Sequence, residues 1–420
     1  MTARVRYAPL AALVVLPVLA GMPASADTHT RHEHQPLVTD AALTLEMAVD
    51  AAMSAYPEAQ ILAARQNQAE TWAKRGRSLL QERPALMLRY QSDRWGDDAG
   101  LDEYEAGIEL PLWSWGGRRA VGAYAEAMTT ESTAAVSALR WEIAGAVREA
   151  LWNVALAENA RELAAQALQT STRLVGAVAR RFELGDVAER DVLLARSSHL
   201  EHETALIDAN AAVLDAQRMY RTLTGLNRRP DFAAESLSAV DGIDGTHPAL
   251  AFADRAVERA EADVEVARQT AGAGTSVLVG TRRERPAFGD AFDDSIGVSV
   301  TVPFGGGAHR DTEIAAAART AAVARAARSR QYRELTLAMH EAAHGLAVAR
   351  DNLAAASQRS EIAERHEAMG ELAYEKGEIE LLDLLRIRET AIEARRQLAR
   401  LQIETKRQTA LYNQAVGEMP

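Results

Sequence analysis

The residues with the strongest formal claim to chemistry are His340-Glu341-Ala342-Ala343-His344. On a helix, histidines four apart share a face and can hold zinc, with the glutamate between them as general base. A helical zinc peptidase using His340, Glu341 and His344 is therefore one reading. The mechanism also needs a third ligand and a substrate cleft. Arg350 stands where the extended motif requires histidine. Glu361 and Glu364 are candidate third ligands, but they fall further along the same helical stretch. His29, His32 and His34 form a second cluster, of a kind that either binds a transition metal or belongs to a flexible polar tail. His199 and His202 sit one helical turn apart, where most such pairs are surface residues. The chain has no phosphate loop, dinucleotide fingerprint or nucleophile elbow. No cofactor and no enzymatic activity are expected, so energy must come from a partner.

Stepping from these residues to what positions them, the chain repeats itself at an offset of 192 residues. Pro111 matches Pro303, Arg118 matches Arg310, Gly185 matches Gly377, and Asp191 matches Asp383. Tyr220 and Gly225 match Tyr412 and Gly417. The period is far longer than that of a solenoid, so one long unit has been duplicated. In the first copy, the stretch equivalent to the two histidines reads Arg148-Glu149-Ala150-Leu151-Trp152, which argues for a solvated helix face at His340 and His344.

The ends and the composition narrow the class. Arg4, Arg6, an apolar core from Ala8 to Leu19 and Ala24-Ser25-Ala26 read as a secretory signal peptide over residues 1–26. A polar tail over 27–43 follows, then a first repeat over 44–226, a linker over 227–246 rich in Pro, Gly, Ser and Asp, and a second repeat over 247–420. Cysteine is absent, so no disulfide supports the exported chain. No later run approaches the roughly 18 apolar residues of a membrane-spanning helix. Asp and Glu outnumber Lys and Arg by 59 to 47, for a net charge of −12, which excludes nucleic acid as a partner.

Thr44 is placed to cap a helix from Leu45 to about Glu82, broken after Tyr56 by Pro57. Period-two alternation follows from Pro84 to Trp95 and from Glu103 to Leu112, with Tyr104, Ala106, Ile108, Leu110 and Leu112 on one face and Glu103, Glu105, Gly107 and Glu109 on the other. The stretch from Gly116 to Arg181 lacks proline and carries Ile143, Val147, Leu151 and Val154 at helical spacing. At ~1.5 Å per residue this helix is about 100 Å long. Leu184-Gly185-Asp186 reverses the chain, and a second helix returns from about Ala188 to Thr224, with Gly225 as its C-terminal cap. The second copy repeats the order. His247-Pro248 opens a helix, Val277, Val279 and Thr281 alternate on a third strand, and Ile296, Val298, Val300 and Val302 on a fourth. Long helices then run from about Ala308 to Ala373 and from Glu378 to Gln414.

Four strands are too few to close a barrel around anything but side chains. A barrel shared between protomers solves the problem. It turns the apolar face to lipid, turns the acidic face to a wet lumen, and leaves no open edge. Tyr90, Trp95, Tyr104, Trp113 and Trp115 flank the apolar bands, as interface aromatics do.

The paired segments Pro111-Leu112-Trp113-Ser114-Trp115-Gly116-Gly117-Arg118 and Pro303-Phe304-Gly305-Gly306-Gly307-Ala308-His309-Arg310 resemble the TolC type of outer-membrane efflux channel. So do Phe182-x-x-Gly185 with Asp191-Val192-Leu193 and Tyr374-x-x-Gly377 with Asp383-Leu384-Leu385. The resemblance implies an α+β membrane protein in the outer membrane, extending into the periplasm. It implies a homotrimer, with four amphipathic strands per protomer in a shared twelve-stranded barrel and a long coiled-coil tube beneath. The turns, with Gly185, Asp186, Gly377 and Glu378, would meet a periplasmic adaptor protein that links to an inner-membrane pump. Asp383 matches an acidic gate position, with Asp191 as its counterpart. The second acidic gate position is Arg386 here, a departure from the family pattern. The short loops at Gly96–Gly100 and Glu284–Asp293, with the histidines, are similar to the heavy-metal branch of the family. A periplasmic coiled-coil protein without a pore is the remaining alternative, and amphipathic strands have no use in it.

Overall fold

The computed structural model describes residues 37–231, 235–272, 274–305 and 307–420. The signal peptide over 1–26 and the histidines at 29, 32 and 34 lie outside the described residues.

The order of elements follows the repeat. After a two-residue strand β1 (Val38–Thr39) come α1 (Leu45–Ala55), α2 (Ala59–Arg77), β2 (Ala85–Ser92), β3 (Asp102–Pro111), α3 (Gly117–Glu183) and α4 (Glu189–Thr224). Then β4 (Arg228–Arg229) precedes α5 (Pro248–Thr270), β5 (Ser276–Arg285), β6 (Asp293–Thr301), α6 (Gly307–Glu375) and α7 (Leu381–Ala415).

Local chemistry sets the boundaries. Thr44 Oγ1 accepts the Met47 amide at 3.2 Å and starts α1. Pro57, which cannot donate to an i−4 carbonyl, separates α1 from α2. The helix ends at Arg77 rather than near Glu82, because the Ser78 hydroxyl bonds both to the carbonyl and from the amide of Leu80 and draws the chain into a turn. α3 is 67 residues long, which at ~1.5 Å per residue gives about 100 Å. Gly225, at φ 70°, closes α4 through its amide to the Arg221 carbonyl at 2.8 Å.

The sheet runs β2-β3-β5-β6, antiparallel throughout, and leaves β2 and β6 as edges. Its register aligns Leu86, Ile108, Val279 and Val298 in one row across all four strands. These four side chains are exposed. The row Gln91, Glu103, Glu284 and Asp293 belongs to the opposite face.

The long helices form one layer. Near the sheet α3 packs on α2 and α5, and α5 packs on α6. Further away the contacts run α4 to α3, α3 to α7 and α7 to α6. In both tiers α6 ends the layer on one side, while α2 and α4 end it on the other. A core of Val49, Ala52, Ile143, Val147, Val154 and Tyr220 joins α1, α3 and α4. Leu37 belongs to it, and Val38–Thr39 pairs in parallel with Arg228–Arg229, so the expected polar tail contributes to the core before Thr44.

The expected linker is likewise part of the packing. Arg148 of α3, 3% exposed, makes a two-pronged ion pair with Glu235 at 2.9 and 3.0 Å. The matched tyrosines pin the segment at both ends. Tyr220 donates to the Arg228 carbonyl at 3.1 Å and Tyr412 to the Val240 carbonyl at 2.8 Å.

Candidate functional site: the hairpin turns and the amphipathic sheet

Two hairpins, α3–α4 and α6–α7, reverse at Gly185 and Gly377. Both glycines have positive φ, 82° and 75°, a region costly for any residue with a Cβ. Nothing lies within 4 Å of a Cβ built at either. The requirement is thus conformational and not steric. The Gly185 amide bonds the Phe182 carbonyl at 2.9 Å, and the Gly377 amide bonds the Tyr374 carbonyl at 3.1 Å. A hydrophobic cluster holds the two hairpin ends together, with Leu174, Val178 and Val192 from one and Leu381 and Leu384 from the other. Arg181 lies over the Tyr374 ring at 5.1 Å.

The expected gate residues sit just past these turns. Asp191 accepts the Ala188 amide at 3.3 Å and so works as a helix-start carboxylate. Asp383 pairs with Arg386 at 3.8 Å, one turn along α7, with both side chains largely in solvent. Arg190 reaches Glu380 at 3.5 Å and bridges the two hairpins. That bridge was not legible in the sequence, because it joins starts of helices nearly 200 residues apart.

At the other end of the molecule the sheet separates two chemistries. Glu103 was expected to face water. It is buried instead, and Arg282 from the neighbouring strand satisfies it at 3.0 Å. Arg282 also lies 3.8 Å from Glu105, which Arg89 approaches at 3.5 Å. The sequence shows alternation within each strand, but the pairing of Glu105 with Arg282 needs the register between strands. Of the expected interface aromatics, Tyr90, Trp95, Tyr104 and Trp115 are exposed, while Trp113 donates its indole N–H to the Ser78 carbonyl at 3.0 Å.

The formal zinc motif does not assemble. His340, Glu341 and His344 lie on the exposed face of α6, and Glu361 and Glu364, some 17 to 24 residues on, bond to Arg365 and Ser360. Among the described residues no three ligand side chains gather in a metal-sized group. His199 and His202 are not the surface pair expected. His199 Nδ1 meets the Ser171 hydroxyl of α3 at 3.1 Å, and His202 is buried, 3.9 Å from Glu389 of α7. Among the described residues no helix is long and apolar enough to cross a membrane.

A family model described as outer membrane efflux protein matches residues 49–226, the stretch from α1 through α4. The match covers less than half of the chain, so it is this stretch that resembles the family. The outer membrane protein VceC of Vibrio cholerae shares the fold at a TM-score of 0.72 and 17% identity, over 89% of this chain and 96% of that one. CusC, whose structures concern folding and transmembrane channel formation, aligns at 0.71 and 13% identity, over 91% and 93%. The CmeC outer membrane channel of Campylobacter jejuni aligns at 0.68 and 16%, over 89% and 85%. No curated protein matches the chain.

Proposed function

We propose that the chain is the outer-membrane channel of a tripartite efflux system. It is a passive conduit through which solute passes, unchanged, from an inner-membrane pump and a periplasmic adaptor to the exterior. One observation carries this reading: a four-stranded sheet exposes an apolar row across every strand and leaves two edges open. In water such a sheet would aggregate. In lipid an open edge is untenable. Three copies joined edge to edge form a twelve-stranded barrel, which puts Leu86, Ile108, Val279 and Val298 against lipid and the Glu103–Arg282–Glu105 face in the lumen.

The helical layer then continues as a tube into the periplasm. Gly185, Asp186, Gly377 and Glu378 lie at its far end and meet the adaptor. Asp383, Arg386 and Asp191 gather near the threefold axis as the gate. Because Arg386 partners Asp383 within one chain, the gate is a ring of paired charges and not a purely acidic one. The finer reading, that heavy-metal cations are the solute, is supported by His29, His32 and His34 and the short loops. Metal sensitivity of a deletion strain tests it.

The test of the channel is assembly in detergent. Ile108→Arg or Val300→Arg puts a cation on the lipid face at a cost of about 2–4 kcal/mol. Either is expected to abolish the trimer, whereas Glu105→Gln leaves it intact. Monomers alone from the unaltered protein would refute the shared barrel.

A further inference from the structure

The exposed large apolar residues of the four hairpin helices are unevenly placed. Away from the turns, the described residues of α3 and α7 show none, and α4 and α6 hold them all. These are the helices that end the layer on opposite sides. On α4, Leu193, Leu200, Ile207 and Leu214 recur every seven residues and are all exposed. On α6, Met369, Ile362 and Val348 are exposed at multiples of seven, and exposed Ala355 fills the remaining step. An apolar position that recurs every seven residues lays a narrow stripe along a helix, one of the two heptad positions along which helices pack in a coiled coil. Among the described residues neither stripe has a partner helix.

The two stripes are in register. Leu193 lies 8 residues after Gly185 and Met369 lies 8 before Gly377. Leu200 and Ile362 are each 15 from their glycine, Ile207 and Ala355 each 22, and Leu214 and Val348 each 29. α4 leads away from its turn and α6 leads toward its own, so with the turns level the helices run antiparallel and every layer matches. At the next step, 36 residues from each glycine, the register sets Arg221 against Glu341, a cation against a carboxylate. Large and small also alternate suitably, with Ile207 facing Ala355.

We infer that the stripe on α4 of one protomer docks on the stripe on α6 of a second copy, in the register Leu193–Met369, Leu200–Ile362, Ile207–Ala355, Leu214–Val348 and Arg221–Glu341. The inference rests on the trimeric reading and adds to it the surface and the register. A second copy is the occupant because the stripes complement each other and not themselves, so the contact is head to tail and closes a ring. It also continues the join between β6 and β2, since α6 shares a side with β6 and α4 with β2 in the layer order. The register gives Glu341 a role unconnected with zinc.

The chain has no cysteine, so introduced thiols can be read without background. Leu200→Cys combined with Ile362→Cys, oxidised in detergent-solubilised full-length protein, is expected to convert the monomer band on a denaturing gel into covalent dimer and trimer. Leu200→Cys with Met369→Cys is one heptad out of register, about 10 Å along the helix. That distance exceeds the span a disulfide can bridge, so the monomer band should persist. Each single variant should also stay monomeric. Preferential linking of the shifted pair, or self-linking of a single variant, overturns the register. An unlinked matched pair in protein that sediments as a trimer overturns the seam and means that something other than a second copy, such as the adaptor, covers the stripes. A protein that sediments only as monomer overturns the trimeric reading itself.

Discussion

α3 and α6 are counterparts in the sequence repeat, yet they occupy different seats. α3 lies inside the layer, with α2, α4, α5 and α7 around it, and α6 lies at the edge. Arg148 and Trp152 of α3 are buried, while their counterparts, His340 and His344, are exposed. The two helices are similar in length, and position in the layer assigns their faces. The inner copy acquired a buried charge network, in which Arg148 also meets Gln414 at 2.6 Å and the Glu418 carbonyl at 3.2 Å. The outer copy keeps an exposed face among the described residues. The pair of histidines is what a helix face looks like when no described neighbour constrains it.

The largest test of this contrast is a matched pair of substitutions. Arg148→Ala strands Glu235 in a half-buried site, and removing one partner of such a pair costs about 3–5 kcal/mol. His340→Ala, at the equivalent position, should change stability by no more than about 0.5 kcal/mol. Denaturant unfolding in detergent measures both, and similar losses would erase the distinction between the seats.

The turns sharpen the comparison from the opposite side, because there the copies agree. Gly185→Val and Gly377→Val each force a β-branched residue into positive φ, at about 1–3 kcal/mol. Export assays should show loss of activity in the double variant while the trimer remains in the membrane. Undiminished export would remove the turns from the adaptor interface.

A smaller effect separates the starts of α5 and α2. His247 Nδ1 accepts the Ala249 amide at 3.2 Å, whereas Glu58 at the equivalent place makes no side-chain cap. Burial holds the His247 imidazole below its ordinary value, so the fold favours the neutral ring. The resulting stability is complete above the unfolded value of about 6.5 and is lost as pH falls through the lower folded value. Thermal melts from pH 7.5 to 5 should show this dependence, and His247→Asn, which keeps a capping acceptor, should weaken it. Identical pH profiles would dismiss the ring as the cause.

The smallest expected energy concerns Asp383 and Asp191, counterparts with different partners. An exposed pair such as Asp383–Arg386 contributes about 0–1 kcal/mol. Conductance is a more sensitive readout. Asp383→Ala or Arg386→Ala should raise single-channel conductance in planar bilayers and admit large antibiotics. Unchanged conductance in both would reduce them to ordinary solvated residues.

Much of the architecture was legible because it is periodic. Strands of period two, helices without proline, and glycines at chain reversals are local facts, written in neighbouring residues such as Glu103 to Leu112 or Leu184 to Asp186. The helix lengths and the positive φ at Gly185 and Gly377 follow from them. What stayed hidden is non-local. Seven-residue spacing on α4 reads as an ordinary amphipathic face until the layer order shows that no described element covers it. Glu103 reads as a water-exposed carboxylate until strand register supplies Arg282. The segment over 227–246 reads as a linker because its composition is that of a loop, and only the contacts of its described residues with Val38, Arg148 and Tyr412 bring it into the packing. Backbone propensity and hydrophobic period act within a few residues of themselves, so sequence carries them directly. Partners brought together across roughly 90 to 190 residues depend on which elements end up adjacent, and adjacency is a property of the packed chain.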